Sequence, residues 1–502
     1  MAATLLILIP LVGGLLVWLL PLSRANTIAL TSIVLLAEGV FWLVGLLEIT
    51  RGAGLSDLSV RLRSWDVVDP QLGTTWEWFR EIGASYAVGF HGFQYWLTGM
   101  AILVFVCAIS FGVWVGRDRP RAYFGLMLFT LGAVVGVFAA QDLLLFYVFF
   151  EAMLIPLYIL VGVWGGPNRG RATLMFVLYT MAGSLLMLAA VIAFGVTTGS
   201  FALDFPGTVT SDNDLIFLGF AAAFAVKAPL LPFHGWMRTA YTEAPPEVAA
   251  VLSGVVSKAA AVGFFSICAL RFPQVIYTID ETGQRLTTTG HIVLVLAALT
   301  LLYGSLLAFR QPNIRSVVAY SSMAQMGLIT IGMLSVNFIG ATGGALQAVN
   351  HGLVSSAMFL LAGILIQRAG TDELSALGGM AKGRPLLATV VMVVGMIVLA
   401  VPGAATFTGE FAILTSIFNV GWGYAAVGAF AIVLAALYGL RLISAVLHVA
   451  RGTAVAADRP GDLDRRELSF VLPLVVALVL LSAWPALVTG NSLPNDEQEQ
   501  PG

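Results

Sequence analysis

The chain has 502 residues, 59% of them hydrophobic and 10% charged, with a mean hydropathy of +0.93 and a formal net charge of −2. No soluble domain of this size has that balance, and without a basic tract nothing points to nucleic acid as a partner. The apolar runs are too long and too many for core helices, so the expected fold is all-α: a polytopic membrane protein whose surroundings are a lipid bilayer.

Fourteen spans are predicted. The first, near 2–22, is followed almost at once by 25–49, so it reads as a spanning helix and not a cleaved signal. A long polar segment, 50–91, comes next, with Asp57, Asp66 and Asp69 among its charges. Then come 92–115, 122–139, 141–163, 172–196, 213–242 and 245–270. The remainder are 290–309, 314–335, 337–366, 385–420, 422–450 and 467–488.

The seventh and twelfth segments are too long for one straight span, and both are interrupted. Pro229 and Pro232 follow Lys227 in the seventh, and Pro402-Gly403 precedes Glu410 in the twelfth. Proline removes a backbone donor and clashes with the turn before it, so both helices are predicted to break. A broken helix is tolerated in a bilayer only when buried in protein or lining water.

Arginine sets the orientation. Arg24, Arg117, Arg119, Arg121, Arg169, Arg171, Arg238 and Arg310 follow odd-numbered spans, as do Arg368, Arg384, Arg451, Arg459 and Arg465. The positive-inside rule places those loops in the cytoplasm and both termini outside. Spans four to eight and nine to thirteen each contain five helices with the fourth broken. Five is odd, so the second set is expected to be an inverted copy, which points to a transport site near the midplane. The expected organisation is 1–121 for three helices and an external loop, 122–270 for the first five-helix repeat, 290–450 for its inverted copy, and 451–502 for a final helix and tail.

Only three lysines occur, and two of them, Lys227 and Lys258, lie inside apolar runs. A lysine at that depth costs roughly 2.5–3.5 kcal/mol on insertion scales, and lysine releases a proton far more readily than arginine. Glu151 lies mid-span in the fifth segment, Glu410 at the break of the twelfth and His351 inside the eleventh, while His234 follows Lys227 by seven residues. Any one of these suits a satisfied core residue. About five isolated groups at ~3 kcal/mol each would rival the stability of a whole protein, so pairing or hydration is required. At ~7 Å and an effective dielectric near 20, Glu151 and Lys227 would attract by roughly 2.4 kcal/mol, and a pair whose spacing changes is a proton switch.

Other positions have plainer readings beside functional ones. Asp142 suits a helix N-terminus. Arg441 in the thirteenth span either balances a buried carboxylate or snorkels. Glu38 in the second has no evident partner in sequence. Cys107 and Cys268 read as small core residues. With no Rossmann fingerprint, P-loop or metal-ligand cluster, neither a metal nor a redox centre is expected in this chain.

The strings Gln141-Asp142, Glu151-Ala-Met-Leu-Ile-Pro156, Lys227-Ala-Pro-Leu-Leu-Pro-Phe-His234-Gly-Trp-Met, Arg310-Gln-Pro-Asn-Ile-Arg315 and Phe407-Thr-Gly-Glu410 resemble the antiporter-like subunits of respiratory complex I. The resemblance covers essentially the whole chain. It is strongest to the subunit M group, because Glu410 stands where the sister subunits L and N carry lysine and the chain ends soon after span fourteen. It implies that Glu151 and Lys227 form the proton switch, that Lys258 bridges the central axis, that His234 and His351 are relays, and that Glu410 hands protons onward. Gln325 stands where many relatives carry histidine. Since glutamine cannot titrate, water is expected to bridge a gap between Lys258 and His351.

The resemblance further implies proton translocation in a bacterial inner membrane, driven by NADH oxidation and quinone reduction on partner subunits. Those partners would hold the FMN and iron–sulfur clusters, and the two sister antiporter-like subunits would be neighbours. A subunit of a multi-chain cation/proton antiporter is the alternative. A haem-bearing oxidoreductase needs facing histidine pairs, and only His351 is well centred.

Overall fold

The computed structural model describes residues 2–50, 70–203, 213–280, 283–335, 337–450, 452–455 and 461–489. Asp57, Asp66, Asp69, Arg451, Arg459 and the polar tail lie outside the described residues. Among the described residues, twelve helices are long and apolar enough to cross a membrane. Spans one to six are Ala2–Leu19, Arg24–Glu48, Gly92–Val115, Pro120–Ala139, Leu143–Trp164 and Arg169–Thr198. Span eight is Pro246–Ala269, and spans nine and ten are Thr288–Arg310 and Ile314–Met333. Span eleven is Phe338–Ala369, span thirteen Trp422–His448 and span fourteen Arg465–Ala483.

Spans seven and twelve are broken, as the prolines dictate. Span seven is Asp214–Lys227 followed by the short helices Phe233–Trp236 and Met237–Glu243. Span twelve is Pro385–Val398 followed by Ala405–Val420. Each break satisfies its freed backbone groups within the protein. Pro229 cannot donate to Ala225, so the Leu230 N–H donates to that carbonyl instead at 2.8 Å. The Trp236 indole donates to the Val226 carbonyl at 3.0 Å, and the Leu231 N–H to Thr300 Oγ1 at 2.9 Å. At the second break, the Ala405 N–H donates to Ser482 Oγ at 2.9 Å, while Asn350 Nδ2 donates to the Ala405 carbonyl at 2.7 Å.

Two irregularities were not legible in the sequence. Span five itself breaks at Met153, with Pro156 in the first turn beyond. Span eight carries two π-helical stretches, Leu252–Val256 and Phe264–Ala269, flanking Lys258–Gly263. The all-α membrane region is also joined by two small antiparallel hairpins in loops after even-numbered spans. Gln71–Phe79 pairs with Ala84–Phe90, and Tyr277–Asp280 with Gly283–Leu286.

Burial is graded across the bundle. Span eight is wholly enclosed and spans four, ten and eleven nearly so, whereas spans one, two, six and fourteen turn much of their apolar surface outward. Spans eight and eleven meet at small residues. A Cβ on Gly254 would lie 2.0 Å from Ser356 Oγ and 2.7 Å from the Gly352 carbonyl, so only glycine permits this approach. That contact brings the charged turn of span eight against the histidine turn of span eleven.

Candidate functional site

The polar groups of the interior fall into an open pair and a connected row. Glu151 ends the first half of span five, and Lys227 ends the first half of span seven. Both breaks therefore place an ionisable residue at the end of a helix segment. Lys227 is 2% exposed, and its Nζ has no hydrogen-bond partner among the described residues. It lies instead over the face of Phe150, 5.0 Å from the ring centre. One carboxylate oxygen of Glu151, Oε1, is buried and equally unpartnered. Lys227 feels the charge of Glu151, but no salt bridge joins them among the described residues. His234 follows the break, half-buried, with Nδ1 unpartnered and its ring edge-on to Tyr303 at 5.5 Å between centroids.

Lys258 is solvated by protein. Its Nζ donates to the Ser253 carbonyl at 3.0 Å and to Ser257 Oγ at 3.1 Å, and lies 2.7 Å from His351 Nδ1. Ser253 Oγ in turn donates to Ser322 Oγ at 2.7 Å and contacts Ser355, tying spans eight, ten and eleven together. The gap expected between Lys258 and His351 does not exist, because the glycine contact of spans eight and eleven closes it.

Gln325 lies further along the row. It projects from span ten towards span twelve, and its Nε2 donates to Glu410 Oε1 at 2.9 Å. Gln347 Nε2 donates to Gln325 Oε1 at 2.8 Å and also reaches Glu410 Oε1 at 3.4 Å. Glu410, 3% exposed, is thus held by two amides from two spans. Between His351 and this cluster is a cavity of about 30 Å³, bordered by His351, Gln325, Gln347, Ser321, Thr406 and Tyr438. His351 Nε2 and Gln347 Oε1 are buried without partners. A space of this size and polarity suits ordered water.

Asp142 caps the helix after it. Its Oδ1 accepts from the Leu144 and Leu145 N–H groups at 2.9 and 3.0 Å, and its Oδ2 accepts from the Ser85 N–H at 3.0 Å. Arg441 neither pairs with a carboxylate nor sits free. It donates to the Gln311 carbonyl at 2.9 Å and to that of Phe309, at the end of span nine. Glu38 is fully buried with both oxygens unpartnered. Among the described residues, no group of three or more His, Cys, Asp or Glu could hold a metal ion.

Sequence reasoning passed over Gln347, Asn350 and the serines, because neutral polar residues in an apolar run carry no charge signal. It also passed over Glu247, at the start of span eight. Arg117 holds that carboxylate through two bonds of 2.6 and 2.9 Å, and the Tyr123 hydroxyl donates to it at 2.7 Å. Burial works against the Arg117 charge, but Glu247 and Tyr123 outweigh it and hold the guanidinium above its ordinary range. The signal was present in the spacing, since Arg117 and Glu247 both lie at ends of spans on the arginine-bearing side.

A family described as NADH:quinone oxidoreductase/Mrp antiporter matches residues 140–435. The NADH-quinone oxidoreductase subunit M of Rhodobacter capsulatus is 34% identical over 426 residues, covering 81% of this chain and 80% of that one. A chain of respiratory complex I from Thermus thermophilus with bound NADH superposes with a TM-score of 0.82 at 28% identity, covering 98% of this chain and 97% of that one. A chain of the Mrp complex from Dietzia sp. DQ12-45-1b superposes at 0.77 with 22% identity, covering 98% and 96%, which is a likeness of fold alone.

Proposed function

The chain belongs to the family of subunit M of NADH-quinone oxidoreductase, and we propose that it carries protons through the membrane arm of such a complex from the Glu151–Lys227 pair along the connected row from Lys258 to Glu410. The contact of Lys258 with His351 is the observation that carries this reading. A protonated Lys258 donates to Nδ1 of a neutral imidazole. Proton transfer along that bond leaves His351 to release its other proton from Nε2, since the two ring nitrogens accept and donate in turn. Water in the cavity passes the proton to Glu410, while Gln325 orients the carboxylate without titrating.

Glu151 and Lys227 act upstream as the switch. In the arrangement seen here the two are apart, with Lys227 on the Phe150 face. Closing the pair favours the charged lysine, and opening it favours release towards Lys258. Asp142 and Arg441 shape the helix ends beside this route and do not relay. On this reading 122–270 is the input half and 290–450 the inverted output half, with 1–121 and 451–502 outside both repeats.

Electron transfer takes place on partner subunits that hold FMN and iron–sulfur clusters, so this chain needs no redox centre of its own. Its neighbours in the bacterial inner membrane are other complex I membrane subunits, especially two sister antiporter-like chains. Both termini lie on the outer side, as the loop arginines favour. The test is NADH-driven proton uptake by the purified complex in sealed vesicles. A Lys258→Met complex that oxidises NADH with an unchanged proton-to-electron ratio would overturn the route. Purification without flavin-bearing companions would favour the antiporter reading instead.

A further inference from the structure

Spans two and fourteen do not close over span three. They leave a groove of about 980 Å³, floored by span three and walled by the other two. Along span two it runs from Ile28 to Leu43, about 22 Å at 1.5 Å per residue. Its lining is almost entirely apolar, and at its deepest it reaches Val349 and Leu353 of span eleven. Those two residues stand on either side of His351.

The two ends differ. At the end where span fourteen begins stand Arg466 and Ser469, with Ser32 and Ser110 a little way in. Arg466 is exposed, and among the described residues its guanidinium has no hydrogen-bond or ion-pair partner. At the other end stand Trp42 and Trp96, packed edge to face at 6.0 Å between centroids. The groove therefore has a cationic mouth and an aromatic base.

We infer that this groove binds one phospholipid of the surrounding bilayer, its phosphate at Arg466 and its acyl chains along span three. The cation at one end matches a phosphate ester, and the apolar length beyond matches hydrocarbon. A transmembrane helix of a neighbouring subunit fits less well. It would need an acidic side chain at the mouth to answer Arg466. The bound acyl chain backs the turn that carries His351. That consequence rests on the relay proposed above, whereas the binding itself does not.

The experiment uses the intact complex in detergent with spin-labelled phosphatidylglycerol, reading the motionally restricted fraction. Gly39 borders the groove, and a Cβ there meets no atom within 4 Å, so a side chain at this position starts into open space and Gly39→Trp is the variant that obstructs the groove. Gly39→Trp is expected to lose one restricted lipid per complex. Arg466→Gln is expected to weaken its association about tenfold, and Arg466→Lys to retain it. An unchanged restricted fraction in both Gly39→Trp and Arg466→Gln overturns the site. Loss in Gly39→Trp alone overturns the phosphate assignment. Cross-linking of Gly39→Cys to another protein chain overturns the lipid in favour of a partner helix.

Discussion

Lys258 Nζ lies 2.7 Å from His351 Nδ1, and with Ser253 O at 3.0 Å and Ser257 Oγ at 3.1 Å that contact gives it three polar partners. Lys227, equally buried, has none and rests on an aromatic face. The two lysines thus differ in how the protein replaces water. One is met by polar atoms at the centre of the bundle, the other by the π face of Phe150.

Lys258→Arg tests whether the central group must release a proton. Arginine keeps the charge but holds its proton across the accessible range, so NADH-driven uptake is expected to fall about tenfold or more with the complex assembled. Uptake at the parent rate would make Lys258 an electrostatic or structural group.

His351→Gln separates hydrogen bonding from titration. The amide oxygen still accepts from Lys258, which keeps the buried ammonium satisfied and the fold intact. Transfer through the ring is lost. Proton uptake is expected to collapse while NADH oxidation in leaky membranes persists. Wild-type coupling in this variant would show that protons pass Lys258 without using the imidazole.

The charged groups of the route stood out in the sequence because a bilayer makes each of them costly. The breaks of spans seven and twelve were equally legible from Pro229, Pro232 and Pro402. The partners were not. Gln347 and Asn350 read as ordinary residues of an apolar run until the packing of spans ten, eleven and twelve brought Gln347 and Gln325 onto Glu410 and Asn350 onto the span-twelve break. The π-helical stretches beside Lys258 were not legible either, because no proline marks them and serines such as Ser253 and Ser266 also occur in regular helices. Gln325 was identified by its type but placed on the wrong side of His351, because spacing along span ten does not say which neighbour it faces.

Phe150 is expected to position Lys227. A desolvated cation–π contact contributes ~2 kcal/mol or more, comparable with the attraction of a separated ion pair. Phe150→Leu removes that resting place. Proton uptake is expected to fall about tenfold, and Phe150→Tyr, which keeps the π face, to restore it. If leucine and tyrosine behave alike, the ring is packing only.

Asp462 gives a pH-dependent test of how span twelve begins. It caps Pro385–Val398 from a distant loop, accepting from the Leu386 and Leu387 N–H groups at 2.6 and 2.8 Å. Its slight burial disfavours the charge, but the N–H groups of Leu386, Leu387 and Leu463, with Arg368, outweigh it and hold the carboxyl below its ordinary range. A depressed folded value means that the stabilisation is fully present above the unfolded value of ~3.9 and is lost as pH falls through the lower folded one. Asp462→Ala is expected to cost ~1 kcal/mol at neutral pH, seen as faster amide exchange at Leu386 and Leu387. The difference from the parent should vanish in strong acid. A difference that persists there would mean that the charge is not what caps the helix.

Glu410 is the last group of the row, and its surroundings decide what can replace it. Gln325 and Gln347 both present N–H donors to the same oxygen, Oε1. A carboxylate answers both. In Glu410→Gln one orientation places an amide N–H against those donors, and the other keeps the bonds but removes titration. Glu410→Asp still titrates, one methylene short of the amides, so water from the adjoining cavity must complete its contacts. Aspartate is therefore expected to retain part of the proton uptake, and glutamine and alanine to lose most of it. Alanine should also destabilise the region, because the buried Gln325 amide loses its acceptor at ~1–3 kcal/mol. Measured as uptake into sealed vesicles at matched complex content, equal activity of the aspartate and glutamine variants would show that protonation at this position plays no part in transport.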